Sequence, residues 1–352
     1  MGHRMFRRFT FILCIAVLFS CKGLKTNGPS LENINKVMVF FNYSTNEICL
    51  LDVDTGTMVN NYKIDFDIQQ YTINKSGYTY KWHYNNDNST IYLRENHVDD
   101  NNRENWSTKI YKIDMNPFEL SEIFYSQKDY HNFFVNGAYL YLMSYREPSY
   151  GKPNKEQNYI VEYNLLDKSE IVINFNESLP ENERICAPYF FITGNEIIMT
   201  GWVNVIALTK LYRFGRNSKR MEAIDDMVGS FSVYNNTILY EKNDVNVVVN
   251  DFTASIRHKG ASLAVYDLVN KTKRILPHNV IAAYLDFIIV DEDKIIYTDK
   301  HETIENILSQ FWIFPSSERY KNYYIAGITG NTKRLFFSSR DEIKILGVIN
   351  KR

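Results

Sequence analysis

Short stretches of alternating apolar and polar residues recur in pairs along the chain, and a polar turn joins the two members of each pair. Apolar residues at every second position predict half-buried β-strands, and Asp, Asn or Gly between two such runs predicts a tight turn. The pattern occurs six times, at intervals of 62, 50, 51, 52 and 60 residues between the residues that open the turns: Asp52, Asp114, Asn164, Gly215, Asp267 and Gly327. A spacing near fifty residues indicates a repeat architecture.

A second hairpin precedes most of these turn hairpins, which gives each repeat four strands. The turns of this second hairpin contain residues that tolerate a positive φ, as in Asn136-Gly137, Gly194-Asn195 and Asn235-Asn236. Four antiparallel strands per repeat are typical of a propeller blade. We therefore predict an all-β fold, a six-bladed β-propeller with four-stranded blades.

The first repeat lacks one strand, and the end of the chain has one strand to spare. The first predicted strand, KVMVFF, matches the second strand of the other repeats, while the apolar strand EIKILGVI follows the sixth repeat at 342–349. We predict that this last strand becomes the inner strand of blade one and closes the ring. The alternative is a β-solenoid or a sandwich, which would leave exposed strand edges that proteins avoid.

The first 21 residues differ from everything that follows. Three arginines precede an apolar run at 9–19, which is too short to span a bilayer but suits the hydrophobic part of a secretory signal. The tetrad Leu18-Phe19-Ser20-Cys21 resembles the bacterial lipobox, whose cysteine is lipidated, although Phe19 departs from the usual small or aliphatic residue. We predict a lipoprotein signal peptide over 1–20, a lipidated Cys21 with a tether over 21–35, and a single propeller domain over 36–352. An ordinary signal peptide or a buried strand is the alternative.

The composition supports one large domain and argues against one class of partner. Apolar residues make up 45% and aromatic residues 15% of the chain, which is ample for a packed β core. The net charge of −1 gives no support for nucleic-acid binding, which needs a basic surface. We expect a monomer. We place Cys49 and Cys186 in the core, and a disulfide between them is the alternative.

The sequence contains no established catalytic, cofactor or metal motif. A GxSxG elbow, a phosphate-binding P-loop, GxGxxG after a strand and zinc-ligand spacings are all absent, and we expect neither cofactor nor metal. Asp52-x-Asp54-x-Gly56 resembles the start of a calcium loop but lacks the distal glutamate, so we interpret it as a turn. We interpret Asp225 and Asp226, which could pair for glycoside chemistry, as solvated loop charges.

Candidate ligand residues lie in or near the loops on one face of the predicted ring. Connections between second and third strands emerge there, together with those between blades, and they are predicted to be long at 95–107, 146–158, 242–260 and 300–322, the last with a short amphipathic helix. Aromatic, Arg and His side chains suit sugars or peptides, because they combine stacking with directional hydrogen bonds. We therefore select ten candidates for ligand binding: Trp82, His83, His97, Trp106, Arg146, Trp202, Arg257, His258, His301 and Trp312.

The lipobox-like tetrad, the Asn-, Tyr- and Lys-rich body and the six irregular blades together resemble the six-bladed β-propeller lipoproteins of Bacteroidota, a domain-of-unknown-function type similar to TolB-like propellers. The resemblance covers 18–21 and, as a repeat pattern, 36–349. It implies a lipid-anchored protein of the outer membrane with a binding or scaffolding role, and it identifies no functional residue. Lys22-Gly23-Leu24-Lys25 stands where surface-displayed members commonly have an acidic stretch. The protein could therefore face either the periplasm or the cell surface.

These observations lead to one main functional expectation and one alternative. We expect a non-catalytic envelope lipoprotein whose propeller face binds or scaffolds a protein or glycan partner. The alternative is a propeller enzyme, a lyase or hydrolase acting on glycans or peptides. Such an enzyme would show His, Arg and acidic groups converging at the channel mouth with strongly shifted pKa values.

Overall fold

The computed structural model of the chain is an all-β ring of six four-stranded antiparallel sheets. This confirms the predicted six-bladed propeller. The structure describes residues 34–65, 68, 77–85, 90–98, 106–115, 118–144, 159–175, 178–179, 189–203, 208–250, 253–280, 287–291, 293–299, 321–328, 333–339, 341 and 343–350.

The strands follow one another blade by blade along the chain. Blade one takes β1 (Lys36–Asn42), β2 (Glu47–Asp52) and β3 (Met58–Lys63). Blades two and three take β4 (Gly77–Asn85), β5 (Thr90–Val98), β6 (Ser107–Met115), β7 (Phe118–Ser126), β8 (Tyr130–Asn136), β9 (Tyr139–Ser144), β10 (Tyr159–Asn164) and β11 (Glu170–Ile173). Blades four to six take β12 (Phe190–Thr193), β13 (Glu196–Val203), β14 (Leu208–Gly215), β15 (Arg220–Asp226), β16 (Val228–Tyr234), β17 (Thr237–Asn250), β18 (Thr253–Asp267), β19 (Thr272–Val280), β20 (Phe287–Ile289), β21 (Lys294–Asp299), β22 (Lys321–Gly327) and β23 (Lys333–Ser339).

The last strand, β24 (Ile343–Asn350), closes the ring by completing blade one. It pairs antiparallel with β1, and Val37 lies opposite Ile349. Tyr84 of blade two donates a hydrogen bond from its hydroxyl to the Val348 carbonyl at 3.2 Å. A Cβ at Gly347 would collide with the Tyr84 ring, so the closing strand needs glycine at this point. The predicted closure is confirmed.

The core lies in six apolar layers, one between each pair of neighbouring blades. Strand β1 illustrates how the sequence produces two layers at once. Val39 and Phe41 pack toward blade two, whereas Met38 and Phe40 on the opposite face pack toward blade six. Because both faces of the strand are buried, its sequence is a continuous apolar run rather than a half-polar alternation.

Tight turns join the first and second strands of several blades. Gly137, Gly194 and Asn235 have φ angles of 57°, 53° and 50°, which are the left-handed conformations that these residue types tolerate. In the outer turn of blade one, the Asp52 carboxylate accepts the backbone N–H of Asp54 at 2.9 Å, and Gly56 has a φ of 71°. Asp52 therefore caps a turn, as predicted.

Two predictions about connections and cysteines have different outcomes. The loop predicted at 242–260 in blade five is wrong, because β17 and β18 continue as a paired hairpin as far as Asn250 and Thr253. The valine-rich run at 245–249 favours strand over loop. Cys49 lies in the core as predicted, while Cys186 and the amphipathic helix predicted at 302–312 fall outside the described residues.

Candidate functional site

The described members of the predicted ligand set point in different directions. Trp82 and His83 are neighbours on β4, so their side chains face opposite blades. Trp82 packs toward blade one, with its ring centroid 4.8 Å from that of Phe41. His83 faces blade three, where its ring lies 4.4 Å from Phe134. Burial lowers the pKa of His83 to about 4, against the opposing effect of a hydrogen bond to the Val135 backbone. This histidine is therefore neutral at physiological pH.

The remaining predicted ligand residues are scattered around the ring or fall outside the description. His97 on β5 pairs with Ser107 on β6. Because Trp106 directly precedes Ser107, the backbone brings His97 and Trp106 to the same end of blade two. Three further candidates lie in paired strands: Trp202 on β13, and Arg257 and His258 on β18. The structure does not describe the side chains of these three residues. Arg146, His301 and Trp312 lie outside the described residues.

A different group of polar side chains converges where blades two, three and four meet. In the register of blade two, Lys81 on β4 lies opposite Arg94 on β5, so both side chains leave the same face of the sheet. That face is the one toward blade three. We call the group the channel cluster, and it consists of Lys81, Arg94, Asn96, Asp129, Asn132 and Tyr189.

The inner part of the channel cluster ties blade two to the start of β8. Arg94 is only 2% exposed and donates a hydrogen bond from its terminal nitrogen to the Tyr130 carbonyl at 2.8 Å. Asn96 donates its amide N–H groups to that carbonyl at 3.1 Å and to the Asp129 carboxylate. Burial lowers the pKa of Arg94 to about 10, while Asp129 opposes the shift. A buried guanidinium therefore stands beside one carboxylate.

Lys81 extends from this buried group toward the middle of the ring. Its Nζ donates a hydrogen bond to Asn132 Oδ1 of blade three at 2.8 Å. The same Nζ lies 4.9 Å from the ring centroid of Tyr189, which directly precedes β12 of blade four. Because first strands line the channel of a propeller, an ammonium that reaches from blade two to the entry of blade four lies beside the channel. Tyr189 is 59% exposed, so this end of the cluster opens to solvent.

The pKa of Lys81 is lowered from 10.5 to about 7. Burial is the largest cause, the positive charge of Arg94 adds to it, and Asp129 acts in the opposite direction. Near neutral pH, about half of the Lys81 side chains are charged. The group can therefore donate hydrogen bonds to an anion or exchange a proton close to physiological pH.

A second charged group lies between blades four and five and corrects one prediction. Asp225 and Asp226 were predicted as solvated loop charges, yet both belong to strand β15, and the Asp225 side chain is only 6% exposed. We call Asp225, Asp226, Tyr240, Lys242 and Lys273 the Asp225 network. The strand pairing at this edge places Asp225 opposite Leu211 and turns its side chain toward blade five.

Every charge in the Asp225 network has an opposite charge beside it. Lys242 Nζ lies 2.7 Å from Asp225 and 2.6 Å from Asp226, and Lys273 Nζ lies 3.1 Å from Asp225. The Tyr240 hydroxyl also donates to Asp225, at 2.7 Å. Burial alone would raise the pKa of Asp225, but these hydrogen bonds outweigh it and hold the pKa at about 2. The network is an electrostatic tie between two blades.

Within the described ranges, no three His, Cys, Asp or Glu side chains are grouped so that they could hold a metal ion. Within the same ranges, no helix has the length and apolar character needed to cross a membrane.

Comparison with known proteins yields similar folds only. No family model and no curated protein matches the chain. TolB from Acinetobacter baumannii is 11% identical, with a TM-score of 0.47 over 90% of this chain and 66% of TolB, so the chain spans about two thirds of that protein. A nidogen/laminin complex is 8% identical (TM-score 0.47, 89% of this chain and 97% of that chain). An oligogalacturonate lyase in complex with manganese is 10% identical (TM-score 0.43, 75% and 73%). We take no activity from these proteins.

Proposed function

We propose that this propeller is a non-catalytic binding module that takes a protein or glycan partner at the channel cluster. One observation carries the proposal: the half-buried Lys81 and the buried Arg94 are both acted on by one carboxylate of the described residues, that of Asp129, and Lys81 also adjoins the exposed ring of Tyr189. Partly compensated buried charge destabilises a fold, so its presence beside a solvent-exposed tyrosine favours a role in recognition. The channel cluster, rather than the ten candidates selected from the sequence, is the surface that we assign to binding.

We further propose that lipid on Cys21 anchors the domain to the outer membrane. The lipobox-like tetrad Leu18-Phe19-Ser20-Cys21 supports this part of the proposal. Multiple acyl chains hold a protein on a membrane without a spanning helix. Metabolic labelling with an alkyne fatty acid should mark the full-length chain, and Cys21→Ser should remove both the label and the membrane association. Equal labelling of the variant would contradict lipidation at Cys21.

Site-specific photo-crosslinking tests the binding role. Tyr189 at the channel cluster and Tyr125 on the outer strand β7 are both tyrosines, 59% and 53% exposed, so they form a matched pair of positions. A photoreactive phenylalanine analogue is placed at either position in the full-length chain, which is then irradiated in the cell that produces it. We expect a discrete product from position 189 that Lys81→Met removes, and none from position 125. Equal products from both positions would overturn the proposal.

The lyase or hydrolase alternative has one observation in its favour. An enzyme was expected to show converging His, Arg and acidic groups with strongly shifted pKa values. Arg94 and Asp129 lie close together with Lys81, and the pKa values of Lys81 and Arg94 are lowered. The histidine of that face, however, packs its ring against Phe133 and Phe134 and is neutral. If Lys81 were a catalytic base, turnover of a glycan or peptide would rise with pH through about 7 and vanish in Lys81→Met. Binding without turnover favours our main proposal.

A further inference from the structure

The ammonium of Lys81 has hydrogen-bonding capacity that its described neighbours do not use. A charged lysine has three N–H donors. Asn132 accepts one of them at 2.8 Å, and the second neighbour is the face of the Tyr189 ring. Among the described residues, no carboxylate forms an ion pair with Lys81, whereas Lys242 of the Asp225 network has two. The Lys81 ammonium is thus positioned by an amide and an aromatic ring rather than neutralised by a protein carboxylate.

The surroundings of Lys81 favour an incoming negative charge. Arg94 is fixed behind it by the Tyr130 carbonyl, and this buried guanidinium adds a second positive charge on the same face of the sheet. The Asp129 carboxylate accepts a hydrogen bond from the Asn96 amide. Among the described residues, Asp129 is the acidic group that acts on both Lys81 and Arg94, so these three groups carry a net positive charge when Lys81 is charged.

We infer that Lys81, Asn132 and Tyr189 form a subsite for a carboxylate of an acidic peptide. This inference rests on the binding role proposed above and specifies its ligand. The carboxylate would accept N–H donors of Lys81, and the amide of Asn132 would keep the ammonium in place. The exposed Tyr189 ring would pack against the aliphatic carbons that carry the carboxylate.

A peptide fits this subsite better than an acidic glycan does. Sugar rings bind proteins largely by stacking on open aromatic faces, and the described part of the site offers one such ring, with Lys81 already over one of its faces. A glutamate or aspartate side chain is narrower than a sugar ring and needs only the ammonium and one apolar contact. An acidic glycan that binds more tightly than an acidic peptide would therefore overturn the inference.

The subsite should be sensitive to pH, because only charged Lys81 attracts a carboxylate. In the free protein the pKa of Lys81 is about 7, and a bound carboxylate raises it. The affinity should therefore be highest between about pH 5.5 and 6.5 and fall as much as tenfold per pH unit above 7, until the pKa of the complex is reached. Among the described residues, the charged or titratable groups facing Lys81 are Arg94, Asp129 and Tyr189, with His83 further along β4. Arg94 and His83, at about 10 and about 4, do not titrate in this window.

NMR of the full-length chain in detergent micelles, with ¹³C-labelled lysine side chains, tests the inference directly. The probes are acetyl-triglutamate amide, its triglutamine twin, trigalacturonate and inorganic phosphate, and Lys81→Met identifies the Lys81 signal. We expect triglutamate to shift that signal and to raise its pKa by at least one unit, and triglutamine to do neither. Lys271→Met, which removes an exposed lysine paired with Glu222, should bind triglutamate like the wild type.

Each result decides the inference. Lys81→Arg should keep triglutamate binding but lose its decline above pH 7, because arginine stays charged. If triglutamate leaves the Lys81 signal unchanged, or if trigalacturonate or phosphate shifts it more strongly, the acidic-peptide subsite is wrong. The binding module would survive that result if the cross-link from position 189 still depended on Lys81. The absence of such a cross-link would instead remove the proposed function itself.

Discussion

Lys81 and Lys242 are both half-buried between two blades, yet their pKa values move in opposite directions. Burial and Arg94 lower the pKa of Lys81 to about 7. Burial would also lower the pKa of Lys242, but its hydrogen bonds to Asp225 and Asp226 raise it above the ordinary value. The difference lies in the partners: Lys242 has two carboxylates, whereas Lys81 has an amide and an aromatic ring.

The two lysines represent two kinds of charged group: one that stabilises the fold and one that destabilises it. Removing one partner of a buried ion pair is strongly destabilising, while replacing an uncompensated buried charge with an apolar group can stabilise a protein. The Asp225 network belongs to the first kind and the channel cluster to the second. A lysine that is expected to destabilise the ring and that lies beside the exposed Tyr189 is explained by a role other than stability, and we propose that this role is binding.

Deletion of the closing strand should have the largest effect on stability. Deleting residues 342–352 takes away β24, which supplies the fourth strand of blade one and packs against blade two. An open ring exposes strand edges and two apolar layers, so we expect the full domain to unfold or aggregate. Circular dichroism during heating should show no cooperative transition. A truncated chain that melts like the wild type would contradict the closure.

Asp225→Ala should be the most damaging single substitution among the two charged groups. It leaves Lys242 and Lys273 without their shared carboxylate, and a loss of about 3 kcal/mol in the free energy of unfolding is expected. Asp226→Ala is the matched control, because its side chain is 63% exposed and the expected loss is under about 1 kcal/mol. Urea unfolding measures both values. Equal losses in the free energy of unfolding would mean that the burial of Asp225 does not strengthen its contribution to stability.

The same substitution has a pH signature. The folded pKa of Asp225, about 2, lies below the unfolded value, so the unfolded chain binds more protons in acid. The stabilisation is present above about pH 4 and is lost as the pH falls toward 2. Asp225→Ala should therefore differ from the wild type most at neutral pH and least near pH 2. A difference that grows in acid would contradict the assigned role.

Lys81→Met should act in the opposite direction to Asp225→Ala. Methionine keeps most of the side-chain volume and removes the buried charge, so we expect the free energy of unfolding at pH 7 to rise by about 1–3 kcal/mol. Lys242→Met, made in the Asp225 network, should instead lower it. Urea unfolding of the two variants gives the comparison in one experiment. If both substitutions destabilise the ring equally, the channel cluster is a structural network like its counterpart.

Tyr189→Ala should have the smallest effect on stability. The ring is largely exposed, so a change within about 0.5 kcal/mol is expected. Its cation–π contact with Lys81 is worth little at an exposed site, but the ring is the proposed apolar contact of the ligand. We expect weaker triglutamate binding at unchanged melting temperature. Loss of binding together with a large loss of stability would indicate a structural role for the ring.

The sequence predicts the scaffold much better than it predicts the site. Closure by β24 follows from one missing and one surplus strand, because a propeller repeat is a local pattern. The hairpin of β17 and β18 was wrongly predicted as a loop over 242–260, although the valines at 245 and 247–249 favour a strand. Arg94 is the fifth residue of β5, but the repeat does not mark it, because the fifth residue of the corresponding strand β17 is also charged, Glu241. The contacts of Lys81 with Asn132 and Tyr189 join three different blades, and no local pattern encodes them.

The pKa of Lys81 in the ligand-free, full-length protein is the most direct test of the distinction between the two groups. The ¹³Cε signal that Lys81→Met removes is followed from pH 5 to pH 11, with the signal that Lys242→Met removes as the internal comparison. We predict a midpoint at about 7 for Lys81 and one above the ordinary lysine value for Lys242. A Lys81 midpoint near that of an exposed lysine would mean that its charge is fully compensated, and the channel cluster would lose its claim to be a binding site.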